Sequence, residues 1–154
     1  MREKEFDYYI FIDYSENLIG YNIIEKSKIT ELLSKITKLK HYNELEHKRE
    51  YLNSMKKLFL RYNIPSYVLK MKINNVKDNI DLFSDILNFI KKHESSTIFI
   101  SVDDFQFRSF NKLVQIVDSD KAKIIKEGQL KKGSMEHKIS LIIDTQLNLI
   151  RRQQ

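Results

Sequence analysis

Two short apolar runs that each end in carboxylates, set among segments of helical periodicity, constrain this chain more than any other feature. Tyr8-Tyr9-Ile10-Phe11-Ile12 is β-branched and aromatic and closes on Asp13, while Thr97 to Val102 has the same character and closes on Asp103 and Asp104. Runs this short and this apolar read as buried strands. Tyr67 to Ile73, freed from the preceding helix by Pro65, and Ala122 to Lys126 supply two more. Residues 18–24 are ambiguous, because Leu18, Ile19, Tyr21, Ile23 and Ile24 fit neither the strand nor the helix period.

The intervening segments predict helices. Ile29, Leu32, Leu33, Ile36 and Leu39 share a face over residues 28–40, and Leu45, Leu52, Met55, Phe59 and Tyr62 share one up to the stop at Asn63-Ile64-Pro65. Ile80, Phe83, Ile86, Leu87 and Ile90 mark a third helix ending near Lys92, and Phe107, Phe110, Leu113, Val114 and Val117 a fourth. Ser134 can cap a fifth, which carries Ile139, Ile142, Ile143 and Ile150. Strands alternating with helices predict an α/β fold, three layers α/β/α, around a mostly parallel sheet of four to five strands in the order 2-1-3-4.

Composition narrows the class. A chain of 154 residues, 42% hydrophobic and 31% charged, suits one folded domain over 1–154. With no Cys, disulfides, thiolate nucleophiles and Cys-based zinc sites are excluded. The four His are dispersed, which argues against zinc or histidine catalysis, and three Gly cannot build a phosphate-cradling loop. No apolar run approaches the roughly 20 residues that span a bilayer, and the charged start does not resemble a leader, so a cytoplasmic protein without membrane contact is expected. The formal charge of +6 favours a polyanionic partner.

In a doubly wound sheet the crevice opens at the carboxyl ends of the first and third strands. Asp13, Asp103 and Asp104 stand at those ends, and the third helix brings Asp78, Asp81 and Asp85 to the same edge. Carboxylates that converge repel one another unless a cation intervenes, and Mg²⁺ or Mn²⁺ takes two to four of them when a phosphate completes its shell. Capping and turn formation are the competing explanations for each Asp taken singly.

These residues resemble the NYN domain, a PIN-related group that includes LabA-like proteins. Phe11-Ile12-Asp13-Tyr14-Ser15-Glu16-Asn17-Leu18 is similar to that family's opening strand and loop, the segment from Asn79 to Leu87 to its second acidic motif, and Ser101-Val102-Asp103-Asp104-Phe105 to the motif that ends its next strand. The resemblance implies a PIN/NYN-like fold and a Mg²⁺- or Mn²⁺-dependent ribonuclease, an endonuclease acting on RNA. Its catalytic residues would be Asp13, Asp81, Asp103 and Asp104, with Asp85 joining them as a metal ligand. Candidates for contacting nucleic acid are Asn17, Ser101, Arg108, Lys126, Lys131 and Lys132. RNA is the expected partner, DNA the second choice, and a homodimer is compatible with the sequence.

Two alternatives stand beside this one. A ribonuclease H-like nuclease also opens on a strand bearing an acid, and Asp13, Asp103 and Asp144 could then fill its acidic positions. The two readings separate at residues 18–25, where an antiparallel strand paired with strand one favours ribonuclease H and a loop or helix favours NYN. The other alternative is a degenerate, non-catalytic module that binds nucleic acid or protein through the basic residues near its C-terminus, among them Lys138, Arg151 and Arg152.

Overall fold

The segment that is ambiguous in sequence decides the architecture. In a computed structural model, residues 7–15, 17–40, 42–93, 96–100 and 122–153 are described. Strand β1 (Tyr8–Ser15) turns within two residues into β2 (Leu18–Glu25), and the pair is antiparallel in continuous register from Tyr8 opposite Glu25 to Ser15 opposite Leu18. Helices α1 (Ile29–Lys35) and α2 (Lys48–Arg61) follow, then β3 (Lys70–Asn75), α3 (Asn79–Lys92), β4 (Ser96–Ile100), β5 (Ala122–Lys126) and α4 (Met135–Gln153). The helix expected at Phe107 to Val117 falls outside the described residues.

The five strands make one sheet in the order β3-β2-β1-β4-β5. β3 lies antiparallel to β2, whereas β4 is parallel to β1 and β5 parallel to β4. This overturns the mostly parallel, PIN-like sheet of order 2-1-3-4: the half built from β1, β2 and β3 is antiparallel. The cause is burial. Leu18 through Ile24 are all buried, so β2 has apolar residues on both faces and shows no alternation for a sequence reading to detect.

The two sheet faces carry separate cores. On one, Ile10, Ile12, Ile19, Tyr21 and Ile23 pack with Leu82, Ile86, Phe89 and Ile90 of α3. Ile80, predicted on that apolar stripe, is instead 74% exposed, and Leu82 takes its place. On the other face, Tyr9, Phe11, Leu18 and Ile24 meet Ile139, Ile142, Ile143 and Leu147 of α4, with Leu32 of α1, Ile36 just past its end, and Met55 and Phe59 of α2 completing the cluster. Helix α4 is buried all round from Ile139 to Asn148, since it contacts β1 and β2 as well as α1 and α2. Helix α2 ends where the sequence indicates: Asn63 takes a left-handed conformation (φ 49°, ψ 51°), which Asn tolerates, and Pro65 follows.

Gly20 lets α4 come this close. A Cβ on it would lie 3.0 Å from Ile73 Cγ1 and Leu147 Cδ2 and 3.1 Å from Ile143 Cδ1, so hydrogen is the largest substituent that fits without movement. Gly20 stands directly opposite Asp13 in the β1–β2 ladder. The close approach of α4 therefore occurs beside the first strand's carboxylate.

Asn22, two residues on, is fully buried, and neither its amide nitrogen nor its oxygen finds a hydrogen-bond partner among the described residues. Stripping such an amide of water without replacement costs on the order of 1–3 kcal/mol. Asn22→Leu, which keeps the branched heavy-atom skeleton and suits the apolar layer around it, is expected to raise the unfolding free energy by about 1 kcal/mol in urea titration. A fall of that size would mean that Asn22 makes polar contacts essential to the fold.

Candidate active site

Asp13 continues the alternation of Tyr9 and Phe11 along β1, so it faces the layer occupied by α4. It is 5% exposed, and its Oδ1 accepts a hydrogen bond from the Tyr14 N–H at 2.8 Å. Asp144, one residue after Ile143 on α4, is equally buried at 5%, and its Oδ2 accepts from the Tyr42 N–H at 2.9 Å. Each carboxylate thus has one oxygen held by a main-chain donor. Ile143 ties the two regions together, because its side chain packs against Gly20, the ladder partner of Asp13.

β4 completes the edge. It runs parallel to β1 with Ile12 opposite Ile100, so the chain leaves β4 level with the residue before Asp13. Asp103 and Asp104 follow directly in sequence; they, Ser101 and Arg108 lie outside the described residues.

The other acids expected to join Asp13 are placed differently. Helix α3 does begin just after β3, but Asp81 is exposed on it. Asp85, a turn further on, is tied to the α3 face of the sheet: its Oδ2 accepts from Lys72 Nζ at 2.9 Å and from the Tyr21 hydroxyl at 3.4 Å. The Lys72 hydrogen bond is the main reason that the Asp85 carboxyl is held below its ordinary value; partial burial opposes it, and the charges of Lys72 and Lys70 add to the lowering. Burial, with Asp85 alongside, pushes the Tyr21 phenol well above its usual range, so it stays a proton donor. Asp13 and Asp85 face opposite sides of the sheet. Among the described residues no group of three His, Asp or Glu side chains is assembled in a geometry that could hold a metal ion.

The Lys72–Asp85 pair therefore reads as a structural contact, and its pH dependence has a definite sign. A carboxyl lowered in the folded state adds stability that is present above its unfolded value and is lost as the pH falls through the folded one. With both side chains about one-third exposed, the contribution is discounted to roughly 0.2–1 kcal/mol. Asp85→Asn is expected to lower stability by that amount at neutral pH and by nothing measurable in strong acid, as followed by thermal melts across the acid range. A difference that persists or grows in acid would contradict this reading.

Positive charge gathers around the Tyr42 side chain. Tyr42, whose main chain holds the Asp144 carboxylate, accepts from Arg152 Nε at 3.0 Å and Nη2 at 2.6 Å through its hydroxyl. The Arg151 guanidinium and the Lys48 ammonium stand 5.2 and 5.0 Å from its ring centre. Burial acts to raise the Tyr42 phenol, but the hydrogen bonds and charges of Arg152 and Arg151 outweigh it and bring the phenol below the ordinary tyrosine value. Sequence shows Arg151 and Arg152 only as part of a basic terminus; their partner is more than a hundred residues away, and no local pattern announces it.

Among the residues expected to touch nucleic acid, Asn17 is exposed in the β1–β2 turn, where its carbonyl accepts from the Val76 N–H at 2.8 Å. Lys126 ends β5 with its main-chain N–H donating to Gln129 Oε1 at 3.1 Å, and Lys131 and Lys132 are exposed in the loop leading to α4. The half-buried His93 stacks its ring on Phe89 with centroids 3.9 Å apart. No helix among the described residues is long and apolar enough to cross a membrane.

No family model matches the chain, and no curated protein matches it. Among solved structures, it is similar to a chain in the PCNA:RNase HII complex from Archaeoglobus fulgidus, with a TM-score of 0.51 and 11% sequence identity over 94% of this chain and 72% of the other. At that identity the likeness is one of fold alone.

Proposed function

We propose that the protein is a metal-dependent nuclease of the ribonuclease H-like type, in which Asp13 of β1 and Asp144 of α4 hold a divalent cation together with Asp103 or Asp104. The observation that carries this reading is the antiparallel pairing of Leu18–Glu25 with β1, the feature that separates a ribonuclease H-like arrangement from an NYN one. The fold likeness to a chain of a PCNA:RNase HII complex points the same way. Two buried carboxylates on the α4 side, each with one oxygen fixed by a main-chain N–H, suit a hard cation with oxygen ligands, which needs few protein ligands when phosphate and water fill the rest of its shell.

A bound Mg²⁺ or Mn²⁺ supplies an activated water and neutralises charge on a phosphate undergoing displacement. The protein's own share is to fix the carboxylates. The Tyr14 and Tyr42 N–H groups orient them, and α4, whose Ile143 packs against Gly20, carries Asp144 as its next residue. Arg151 and Arg152 put positive charge on the side chain of Tyr42, the residue whose main chain holds Asp144, and such charge favours a phosphodiester strand.

The direct test is incubation of the purified chain with labelled single-stranded RNA, an RNA–DNA hybrid and duplex DNA, with Mg²⁺, with Mn²⁺ and with chelator. Cleavage of an RNA-containing strand is expected with either metal and none with chelator. Intact substrates under every metal condition would refute the nuclease reading and favour the non-catalytic module.

A further inference from the structure

β2 and β3 are antiparallel neighbours, paired from Leu18 opposite Asn75 to Ile23 opposite Lys70. A turn of a few residues could join them. The chain instead spends residues 26–69 on the connection, including α1 and α2. That stretch holds ten Lys and Arg against four Glu, and the remaining 17 basic and 17 acidic residues of the chain cancel, so the connection alone accounts for the formal charge of +6. A sequence reading that looks for charge at the C-terminus misses this, because the basic residues of the connection are spaced singly along two amphipathic helices.

A dispersed positive charge is ordinarily a solvated surface. Here part of it converges. Between α1 and α2 lies a groove of about 260 Å³ lined by Lys35, Lys38, Lys57 and Arg61, with Tyr62 as its aromatic wall and Thr37 and Ser54 among the cations; none of its lining residues is acidic. Lys35 Nζ and the Arg61 guanidinium lie 5.0 and 5.4 Å from the centre of the Tyr62 ring. Two like charges thus share one ring face, and among the described residues no carboxylate lines the groove with them. Four cations around one concavity call for an anion with several charges along its length.

We infer that the β2–β3 connection is a nucleic-acid-binding appendage whose α1–α2 groove, through Lys35, Lys38, Lys57 and Arg61, seats the phosphate backbone of a nucleic-acid strand. A strand of phosphodiesters matches this groove better than a lipid surface does, because the cations line a concavity with hydroxyls between them rather than a flat face. Binding here requires neither metal nor the acidic residues of β1 and α4.

The test is fluorescence anisotropy with a short labelled single-stranded RNA and its DNA counterpart, in chelator and over a series of salt concentrations. The wild-type chain is expected to bind, and replacement of Lys35, Lys38, Lys57 and Arg61 by Ala to weaken binding at least about tenfold, flattening the slope of log affinity against log salt by about 3, since a single strand contributes roughly 0.7 per phosphate contact. A matched variant lacking Lys70, Lys77, Lys91 and Lys92 should bind within about threefold of wild type. Circular dichroism checks both folds; should the first variant unfold, Lys38→Glu with Lys57→Glu, both at exposed positions, replaces it. Equal weakening by the two sets would overturn the proposal in favour of undirected surface charge. So would a wild-type chain that ignores both oligonucleotides, or one that binds only vesicles containing phosphatidylserine. Because chelator is present throughout, a failed metal centre leaves this result untouched, and intact binding without cleavage would count against the nuclease reading alone.

Discussion

Asp13→Asn and Asp144→Asn are each expected to lower metal-dependent strand cleavage by roughly 10²–10³-fold, the effect of losing several kcal/mol of metal-borne stabilisation at about 1.36 kcal/mol per factor of ten. Asparagine keeps the volume and one acceptor oxygen, so the main-chain hydrogen bonds from Tyr14 and Tyr42 can persist while the charge that holds a cation disappears. Because those main-chain hydrogen bonds persist, the Asn variants in chelator should melt close to the wild-type chain. Loss of cleavage together with unchanged or raised thermal stability separates a ligand from a structural residue. A variant that loses both would place Asp13 or Asp144 among the groups that merely hold the fold, with the Asp144–Tyr42 contact the first suspect.

Gly20→Val should cost about 2–3 kcal/mol in unfolding free energy, the upper part of the range for overpacking a filled core. Two effects compete at this position. Replacing glycine in a strand interior restricts the unfolded chain and adds β-propensity, which favours the variant by about 0.5–1 kcal/mol. Against that, the first added carbon already meets three branched side chains at 3.0 to 3.1 Å, from β3 and from two turns of α4, and valine adds two methyl groups beyond it. Steric crowding wins because Ile143 and Leu147 are fully buried and their helix is enclosed on its other side by α1 and α2. Gly20→Ala is the graded control, expected to cost less than the valine. A valine variant as stable as wild type would show that α4 can lift from β2.

Much of the scaffold was legible because its signals are local. The apolar run closed by Asp13 became β1, the Asn63-Ile64-Pro65 stop ended α2, and the 3.6-residue spacing after Asn79 gave α3. What failed was the step from elements to topology. β2 is buried on both faces, so its seven buried residues form a block without period, and leaving it out turns a mixed sheet into a parallel one. The candidate site inherited that error. Asp81 and Asp85 were drawn toward Asp13 by an assumed strand order, whereas Asp85 is fixed to Lys72 and Tyr21 across the sheet. Asp144 stands in the sequence as the third acid of the ribonuclease H-like alternative, on an otherwise apolar helical stretch. Its meeting with Tyr42, 102 residues earlier, is a tertiary fact with no sequence signature. The resemblance to NYN domains rests on motifs around Asp13 and Asp103 that carry no information on strand order, and the antiparallel pairing of β2 with β1 corrects the parallel sheet expected with it.

The proposed centre is tested most directly by titrating the chain with Mn²⁺ and following the loss of the free-ion electron paramagnetic resonance signal, in the wild-type protein and in Asp13→Asn and Asp144→Asn. Saturable binding by the wild-type chain that either substitution abolishes is the expected outcome. Binding that survives both substitutions, or no binding by the wild-type chain, would mean that these two buried carboxylates do not hold a cation and that the likeness to a ribonuclease complex ends at the fold.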